Sequence, residues 1–285
     1  MNEKILVGDI GGTHTRLGFY DVKTKKITNY TKFSTKKYDI EQEIINLAKK
    51  HQIKGISIGA AGPVINKTVE LTNVNKKIST TNLSKKTKTK VLIINDFDAL
   101  GYYVKKKETK KSLVIGAGTG LGKVFVSDKI LSSEGGFMDA PFYKSEEELQ
   151  KFIQKKTKKH PNYESLVSGN GLKHIKEFYA GKKLEKEEIK PENIFKNNKD
   201  KTNIKTIKTF SKFYGRFIKN SYLDFLPETV YIAGGIARKN PEILKSKEFK
   251  QEIEHEVIKK PKIILIQDKY ASLIGAGLAF QDKNI

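Results

Sequence analysis

Near its start the chain reads Ile5-Leu6-Val7-Gly8-Asp9-Ile10-Gly11-Gly12-Thr13-His14-Thr15-Arg16-Leu17-Gly18-Phe19-Tyr20, and this stretch decides the fold. The apolar residues at Ile5–Val7 and Leu17–Tyr20 predict two short strands. The glycines between them therefore form a hairpin turn that joins two strands, and not a turn that leads into a helix.

The same arrangement returns near the middle of the chain. Residues 113–126 read Leu-Val-Ile-Gly-Ala-Gly-Thr-Gly-Leu-Gly-Lys-Val-Phe-Val, which is again a strand, a glycine-rich turn and a strand. We interpret the repetition as a diverged internal duplication.

Both turns have the chemistry of a phosphate-binding site. Glycine lets the backbone approach a bulky anion, successive N–H groups point inward, and a threonine hydroxyl adds a donor. The residues concerned are Gly11, Gly12, Thr13, Gly118, Thr119 and Gly120. Asp9 is a candidate Mg²⁺ ligand, directly or through water, because Mg²⁺ commonly keeps several waters beside one or two carboxylates. The alternative is that the glycines only tighten the hairpins, and the repetition counts against it.

Other nucleotide-binding motifs fit the sequence poorly. A Walker loop requires Gly-Lys-Ser/Thr before a helix, and the dinucleotide fingerprint GxGxxG lies between a strand and a helix. Leu121 stands where the last glycine of a fingerprint starting at Gly116 would fall, and a strand follows each turn. The sequence therefore points away from dehydrogenases and P-loop enzymes.

The rest of the chain alternates strands with helices. A helix is predicted over Ile40–His51, another is predicted to begin at a capping box in Ser145–Glu148, and a terminal helix at Ser272–Gly277. Further strands are predicted at Ile56–Gly59, Val91–Ile94, Leu113–Ile115, Val124–Val126, Val230–Ala233 and Ile263–Ile266. This alternation predicts an α/β architecture.

Asn95 and Asp96 directly follow the predicted strand Val91–Ile94. Open α/β sheets build their sites at the carboxyl ends of their strands. Asp96 is our candidate catalytic base, because phosphoryl transfer to an alcohol uses a carboxylate that accepts the hydroxyl proton. The alternative for an aspartate at this position is a helix cap.

Three further segments are candidate ligand contacts, because each contains small residues that allow a ligand to approach. Glu134 precedes two glycines, and Glu164 lies shortly before Ser168-Gly169. Carboxylates accept hydrogen bonds from the neighbouring hydroxyls of a sugar. The predicted strand Val230–Ala233 ends in Gly234 and Gly235, which permits flat contact with an adenosine or close packing of backbone.

Length and composition exclude several classes of protein. A chain of 285 residues commonly forms two domains, here with a cleft between them. Cysteine is absent, which excludes disulfides, thiolate zinc sites and a cysteine nucleophile. No stretch approaches the ~20 apolar residues of a membrane span, and the start runs directly into Ile5. We therefore expect a cytoplasmic protein that neither spans a membrane nor is secreted.

The formal net charge of +23 is spread along the chain. Lysines occur throughout, whereas arginine occurs only as Arg16, Arg216 and Arg238. Nucleic-acid binding needs a concentrated basic surface and favours arginine. The pattern therefore predicts a solvated lysine-rich surface, with no specific nucleic-acid partner.

In their order and spacing, these segments resemble the bacterial glucokinase family, within the superfamily of sugar kinases, heat-shock chaperone ATPases and actin. The resemblance covers nearly the whole chain. Its blocks are Gly8–Leu17, Leu71–Asn73, Ile94–Phe97, Gly116–Gly122, Glu134–Gly136, Glu164 with Ser168-Gly169, Gly215–Phe217, Ile232–Ile236 and Leu273–Gly275.

The resemblance implies a two-domain, actin-like ATPase fold of the ribonuclease H-like type, with ATP, Mg²⁺ and a hexose in an interdomain cleft. Asp96 takes the position of the general base. Asn95, Asp96, Glu134 and Glu164 match sugar ligands, the two glycine turns match phosphate turns, and Gly234 with Gly235 matches the adenosine edge. We expect a smaller domain at 1–106 plus 269–285 and a larger one at 107–268.

One departure bears on the substrate. Members of the family usually carry a histidine after Glu-Gly-Gly, where it contacts a sugar hydroxyl, whereas Phe137 cannot make that bond. The expected substrate is glucose. The alternatives are another hexose or an amino sugar, or a sensor that binds sugar or nucleotide without turnover. The sequence does not specify the oligomeric state, and a homodimer is the commonest assembly.

Overall fold

The computed structural model describes residues 3–71, 74–107, 110–185, 187–197 and 199–283. Thr72 and Asn73 of the family-like block Leu71–Asn73 lie outside these ranges. The chain divides into two compact units: the first comprises Met1–Thr109, Val124–Ser132 and Asp268–Ile285, and the second Lys110–Lys123 and Ser133–Gln267. Among the described residues, no helix has both the length and the apolarity needed to cross a membrane.

Most of the first unit comes from the N-terminal part of the chain. Its elements are β1 (Lys4–Ile10), β2 (His14–Asp21), β3 (Ile27–Ser34), α1 (Ile40–Lys50), β4 (Gly55–Ala60), β5 (Val64–Ile65), β6 (Thr68–Glu70), β7 (Lys77–Ser79), α2 (Thr80–Thr87), β8 (Val91–Asn95) and α3 (Asp96–Lys105). Elements β5, β6 and β7 form a small sheet of their own.

A five-stranded sheet organises this unit, in the order β3-β2-β1-β4-β8. Strands β1 and β2 pair antiparallel, and β1, β4 and β8 run parallel. Alternate residues of β1 face opposite sides of the sheet, as the period of two in a strand requires. Leu6 and Ile10 pack with α1 and α2, whereas Ile5 and Val7 pack with α3 and the C-terminal helix.

The C-terminal helix, α10, covers Ala271–Asp282 and fixes the position of α3. A Cβ atom added to Gly275 would overlap the carbonyl oxygen of Ala99 on α3. One added to Gly277 would overlap the ring of Tyr20. These glycines therefore serve close packing, and they hold the helix that Asp96 begins.

The remaining elements follow in chain order. They are β9 (Ser112–Ala117), β10 (Leu121–Val126), β11 (Ile130–Ser133), α4 (Glu147–Thr157), α5 (Gly169–Ala180), α6 (Pro191–Lys196), α7 (Lys201–Phe225), β12 (Thr229–Ala233), α8 (Gly235–Lys239), α9 (Lys247–Ile253) and β13 (Lys262–Leu265). Short 3₁₀ turns cover Gly135–Phe137, Lys144–Glu146, Tyr163–Ser165 and Pro241–Lys245.

The second large sheet has the order β11-β10-β9-β12-β13. Position by position this repeats β3-β2-β1-β4-β8, with three consecutive strands followed by two more. Each repeat begins with a strand, a glycine turn and a strand. The matching order is what the repeated turn in the sequence predicts.

The predicted strands and the helix at Ile40 are confirmed, with Asp39 as the N-cap of α1. The predicted capping box at Ser145 is wrong. Ser145 lies inside the 3₁₀ turn Lys144–Glu146, and Glu146 turns back to accept the backbone N–H of Tyr143 at 2.9 Å. Arg216 holds Glu146 there, a tertiary contact that local spacing does not show. The predicted domain limits remain a prediction.

Candidate active site

Asp9 and Arg16 face each other across the first hairpin. The register of β1 and β2 pairs them directly, and Arg16 Nη1 lies 2.5 Å from Asp9 Oδ2. The Asp9 side chain is 12% exposed, so its carboxylate is held at the edge of the turn with one oxygen already bound. Sequence reasoning gave Arg16 no role. Its position, symmetric with Asp9 about the turn, is a signal that could have revealed the pair.

The first glycine turn is held by a residue that sequence reasoning missed. Thr35, directly after β3, donates from its hydroxyl to the Gly11 carbonyl at 2.7 Å and from its N–H to the Thr13 carbonyl at 3.1 Å. The N–H of Gly11 bonds to the His14 carbonyl at 3.1 Å. These bonds fix the turn before any ligand arrives.

The sheet brings Asp96 to the same edge as this turn. Ile10 pairs with Ala60, and Ala60 pairs with Asn95, so three parallel strands end side by side. The first glycine turn follows β1, and Asp96 follows β8. The prediction that Asp96 emerges at the carboxyl end of a strand is therefore confirmed.

Asn95 and Asp96 both bond to the first turn of α3, which Asn95 precedes and Asp96 begins. Asn95 Oδ1 accepts the N–H of Phe97 at 2.8 Å, and its Nδ2 donates to the Gly62 carbonyl at 3.2 Å. Asp96 Oδ1 accepts the same N–H at 3.1 Å. Asn95 is thus the N-cap of α3, whereas the sequence had offered a capping role for Asp96. The contact of Asn95 with a sugar stays a prediction.

The second glycine turn is bonded to the segment that carries Glu164. The Gly118 N–H donates to the Gly120 carbonyl at 2.8 Å, and the Gly118 carbonyl accepts the Gly169 N–H at 2.9 Å. Glu164 Oε2 accepts the N–H of Leu121 at 2.9 Å. A Cβ atom at Gly118 would meet nothing within 4 Å, so the space beside this turn is open.

The Glu164 segment is rigidly supported. Ser168 Oγ donates to the Glu164 carbonyl at 2.7 Å, and His174 Nδ1 lies 3.0 Å from the Ser165 carbonyl oxygen. Burial raises the pKa of the Glu164 carboxyl, and the hydrogen bond from Leu121 opposes part of that rise. The site therefore holds a carboxylate that accepts a proton more readily than an ordinary glutamate.

Gly234 lies against the strand that leads into the second turn. Its φ is 88°, and a Cβ atom there would overlap the Ala117 carbonyl oxygen, so only glycine fits. Gly235 begins α8, and a Cβ atom on it would meet nothing within 4 Å. The structure therefore brings the predicted adenosine edge next to the predicted phosphate turn.

Glu134 is followed by the 3₁₀ turn Gly135–Phe137, which lies flat on β10. A Cβ atom on Gly136 would overlap the Leu121 carbonyl oxygen. The Glu134 carbonyl accepts the Phe137 N–H at 3.0 Å, and the Phe137 ring is 46% exposed. A glutamate and an exposed aromatic ring thus stand on one short turn.

Comparison with known proteins decides the family, because the family model for glucokinase matches residues 6–283. The chain belongs to the glucokinase family. It is a sugar kinase with the two-domain, actin-like ATPase fold.

Individual glucokinases show how far this likeness extends. The glucokinase of Erwinia tasmaniensis is 30% identical over 97% of this chain and 97% of its own length. Two solved structures share the fold at 18% identity. The glucokinase of Balamuthia mandrillaris, in complex with glucose, has a TM-score of 0.83 and covers 98% of this chain and 93% of its own. A ROK family glucokinase from Streptomyces griseus, with glucose and AMPPNP, has a TM-score of 0.77 and covers 96% and 97%.

Mg²⁺ binding at Asp9 stays a prediction of the sequence. Within the described ranges, no group of three or more histidine, aspartate or glutamate side chains converges on one point. Mg²⁺ requires only one or two carboxylates when waters and phosphate oxygens complete its shell. Asp9, buried beside a phosphate turn with Arg16 on one oxygen, fits such a site.

Proposed function

We propose that this glucokinase-family protein transfers the γ-phosphoryl group of ATP to the 6-hydroxyl of D-glucose, with Asp96 as the general base. The observation that carries the proposal is the placement of Asp96 at the strand edge that also bears the first phosphate turn. A carboxylate at the same sheet edge as a backbone suited to phosphate supports the proposal, because phosphoryl transfer to an alcohol needs both.

The roles of the other residues follow from their chemistry. The glycine turns at 11–13 and 118–120 offer backbone N–H groups to phosphates. Gly234 and Gly235 leave room for the adenosine. Asn95, Glu134 and Glu164 are the proposed ligands of the sugar hydroxyls, which orient the 6-hydroxyl toward the phosphoryl group. Asp96 accepts the proton of that hydroxyl as its oxygen bonds to phosphorus and ADP leaves.

Asp9 would hold Mg²⁺ through water, and the cation would neutralise charge on the phosphates when bound. We place the reaction in the cytoplasm. A homodimer stays a prediction, which a hydrodynamic measurement of the mass in solution would test.

A panel of sugars tests this proposal. Purified protein with Mg-ATP is assayed for ADP release with glucose, mannose, fructose, galactose and N-acetylglucosamine, and the product is identified by ³¹P NMR. The proposal predicts the highest kcat/KM with glucose and a 6-phosphate product. If no sugar stimulates ADP release although ATP binds, the proposal is wrong.

Phe137 favours a second candidate, a kinase for another hexose or an amino sugar. Its exposed ring, on the same turn as Glu134, offers an apolar surface where an imidazole would offer a hydrogen bond. A higher kcat/KM for N-acetylglucosamine than for glucose in the same panel would select this candidate.

A further inference from the structure

Lys123 is a buried lysine for which the proposed reaction has no use. It lies on β10, the strand that follows the second phosphate turn, and its side chain is only 4% exposed. Burying an ammonium group is costly unless it is paired and hydrogen-bonded. The chain nevertheless keeps a lysine at a strand position where its neighbours are apolar.

The ammonium group is anchored to the end of α7. Lys123 Nζ lies 3.2 Å from Asp224 Oδ2 and 3.4 Å from Ser221 Oγ. The rings of Phe217 and Phe225, also on α7, lie 5.8 Å and 5.6 Å from Nζ. The side chain thereby connects β10 to α7.

The aliphatic stem of Lys123 lies against the turn that follows Glu134. A Cβ atom on Gly135 would overlap Lys123 Cε and would lie 2.8 Å from Cδ and 3.0 Å from Cγ. Its partner Asp224 is 48% exposed, and such a partly solvated ion pair contributes little to stability. The contact with Gly135, by comparison, places the lysine stem against the turn that follows a proposed sugar ligand.

We propose that Lys123 is a positioning residue for sugar binding. Its stem sets the height of the turn Gly135–Phe137 above β10, and the bonds to Asp224 and Ser221 hold the stem in place. Glu134, which enters that turn, is thereby held where its carboxylate meets the sugar hydroxyls. The inference rests on the proposed function, because it assumes that Glu134 binds sugar.

A double-mutant cycle tests this contact. Gly135→Ala adds a methyl group where Lys123 Cε lies, so it should raise the sugar KM at least about tenfold and leave the ATP KM within about twofold, since a small displacement of a binding group can cost about 100-fold. Lys123→Val removes the overlapping atoms and suits a buried strand. In Lys123→Val the same Gly135→Ala change should then raise the sugar KM by less than about threefold, because the effects of contacting residues are not additive.

Lys123→Met is the matched control within the cycle, because methionine keeps an unbranched chain of nearly the same reach. The Lys123→Met/Gly135→Ala double variant should remain as impaired as Gly135→Ala. Lys151→Met, an exposed lysine on α4, controls for loss of charge. If Lys123→Val fails to fold, Lys123→Ala takes its place.

The outcomes separate this inference from the proposed function. Wild-type protein that phosphorylates no sugar overturns the proposed function, and the inference with it, before any variant is compared. If the wild-type protein is active, the comparison of variants tests the positioning role alone. That role is wrong if Gly135→Ala raises the sugar KM by the same factor with Lys123 present as in the Lys123→Val background. Recovery in the Lys123→Val background but not in the Lys123→Met background supports it.

Discussion

The carboxylate of Glu164 accepts a hydrogen bond from the backbone N–H of Leu121 at 2.9 Å. This bond joins a proposed sugar ligand to the residue that ends the second phosphate turn. A second bond, from the Gly169 N–H to the Gly118 carbonyl at 2.9 Å, holds the same two segments together. The proposed sugar-binding and phosphate-binding parts of this unit are therefore one hydrogen-bonded structure.

Removing the Glu164 acceptor should destabilise the protein more than neutralising it. Glu164→Ala leaves the Leu121 N–H without its partner, which should lower the free energy of unfolding by about 1–3 kcal/mol. Glu164→Gln keeps an acceptor oxygen and should lose less. Urea denaturation of the three proteins measures the difference, and equal stabilities of wild type and Glu164→Ala would show that the bond contributes nothing.

The raised pKa of Glu164 should make sugar binding sensitive to acid. Burial raises this pKa, so the carboxylate that accepts sugar hydroxyls becomes protonated at a higher pH than an ordinary glutamate. As the pH is lowered, the sugar KM should therefore begin to rise while the pH is still above the ordinary carboxyl pKa of about 4.3. Glu164→Gln should remove this dependence, and an unchanged profile in that variant would assign it to another group.

Arg216 should contribute to the stability of the folded protein mainly at pH values above the acid range. It is almost fully buried and donates to Glu146 at 2.8 and 3.0 Å and to Glu252 at 3.0 and 2.9 Å. Arg216→Met leaves two buried carboxylates without this partner and should cost about 3–5 kcal/mol. Arg216→Lys keeps the charge but loses the fork, so its loss should be intermediate.

The sign of the pH effect follows from Glu146. Burial raises the pKa of Glu146, but hydrogen bonds from Arg216, Lys212 and the Tyr143 backbone outweigh it, and the pKa lies below its ordinary value. The stabilisation is then complete above the unfolded pKa of about 4.3 and is lost as the pH falls through the lowered folded pKa. Denaturation of wild type and Arg216→Met should therefore converge at low pH, and a constant gap would contradict this account.

Gly118 and Gly234 should respond differently to alanine. A methyl group on Gly118 meets no protein atom within 4 Å, so Gly118→Ala should fold with a stability change below about 1 kcal/mol. It should raise the ATP KM at least about tenfold, because the methyl group occupies the approach of the phosphates. Gly234→Ala should instead lower the melting temperature, since it overlaps Ala117. A Gly118→Ala variant with normal ATP KM would remove this turn from the nucleotide site.

Local patterns were sufficient for much of the fold. Apolar runs and glycine turns predict the strands around Gly11 and Gly118, because hairpin residues contact their neighbours in sequence. The same holds for Asp96, whose place at a strand end needs only the strand before it. The capping prediction at Ser145 failed because Arg216, far along the chain, determines where Glu146 points.

The missed residues share a physical reason. Thr35 and Lys123 act through contacts with residues that are distant in sequence or in register, and nothing in their own neighbourhood marks them. For Arg16 and Arg216 the sequence offers one indication of a role, because arginine is scarce in this lysine-rich chain. Arginine is suited to forked pairing with carboxylates, which is how Arg216 binds Glu146 and Glu252, whereas Arg16 contacts Asp9 through Nη1.

The most direct test of the central claim is ADP release from Mg-ATP and glucose by wild type and Asp96→Asn, with Asp282→Asn as an exposed aspartate control. Loss of the general base should lower kcat by about 10²–10⁴-fold while glucose still binds, and Asp282→Asn should match wild type. If Asp96→Asn retains the wild-type kcat, Asp96 only caps α3, and the proposed mechanism is wrong.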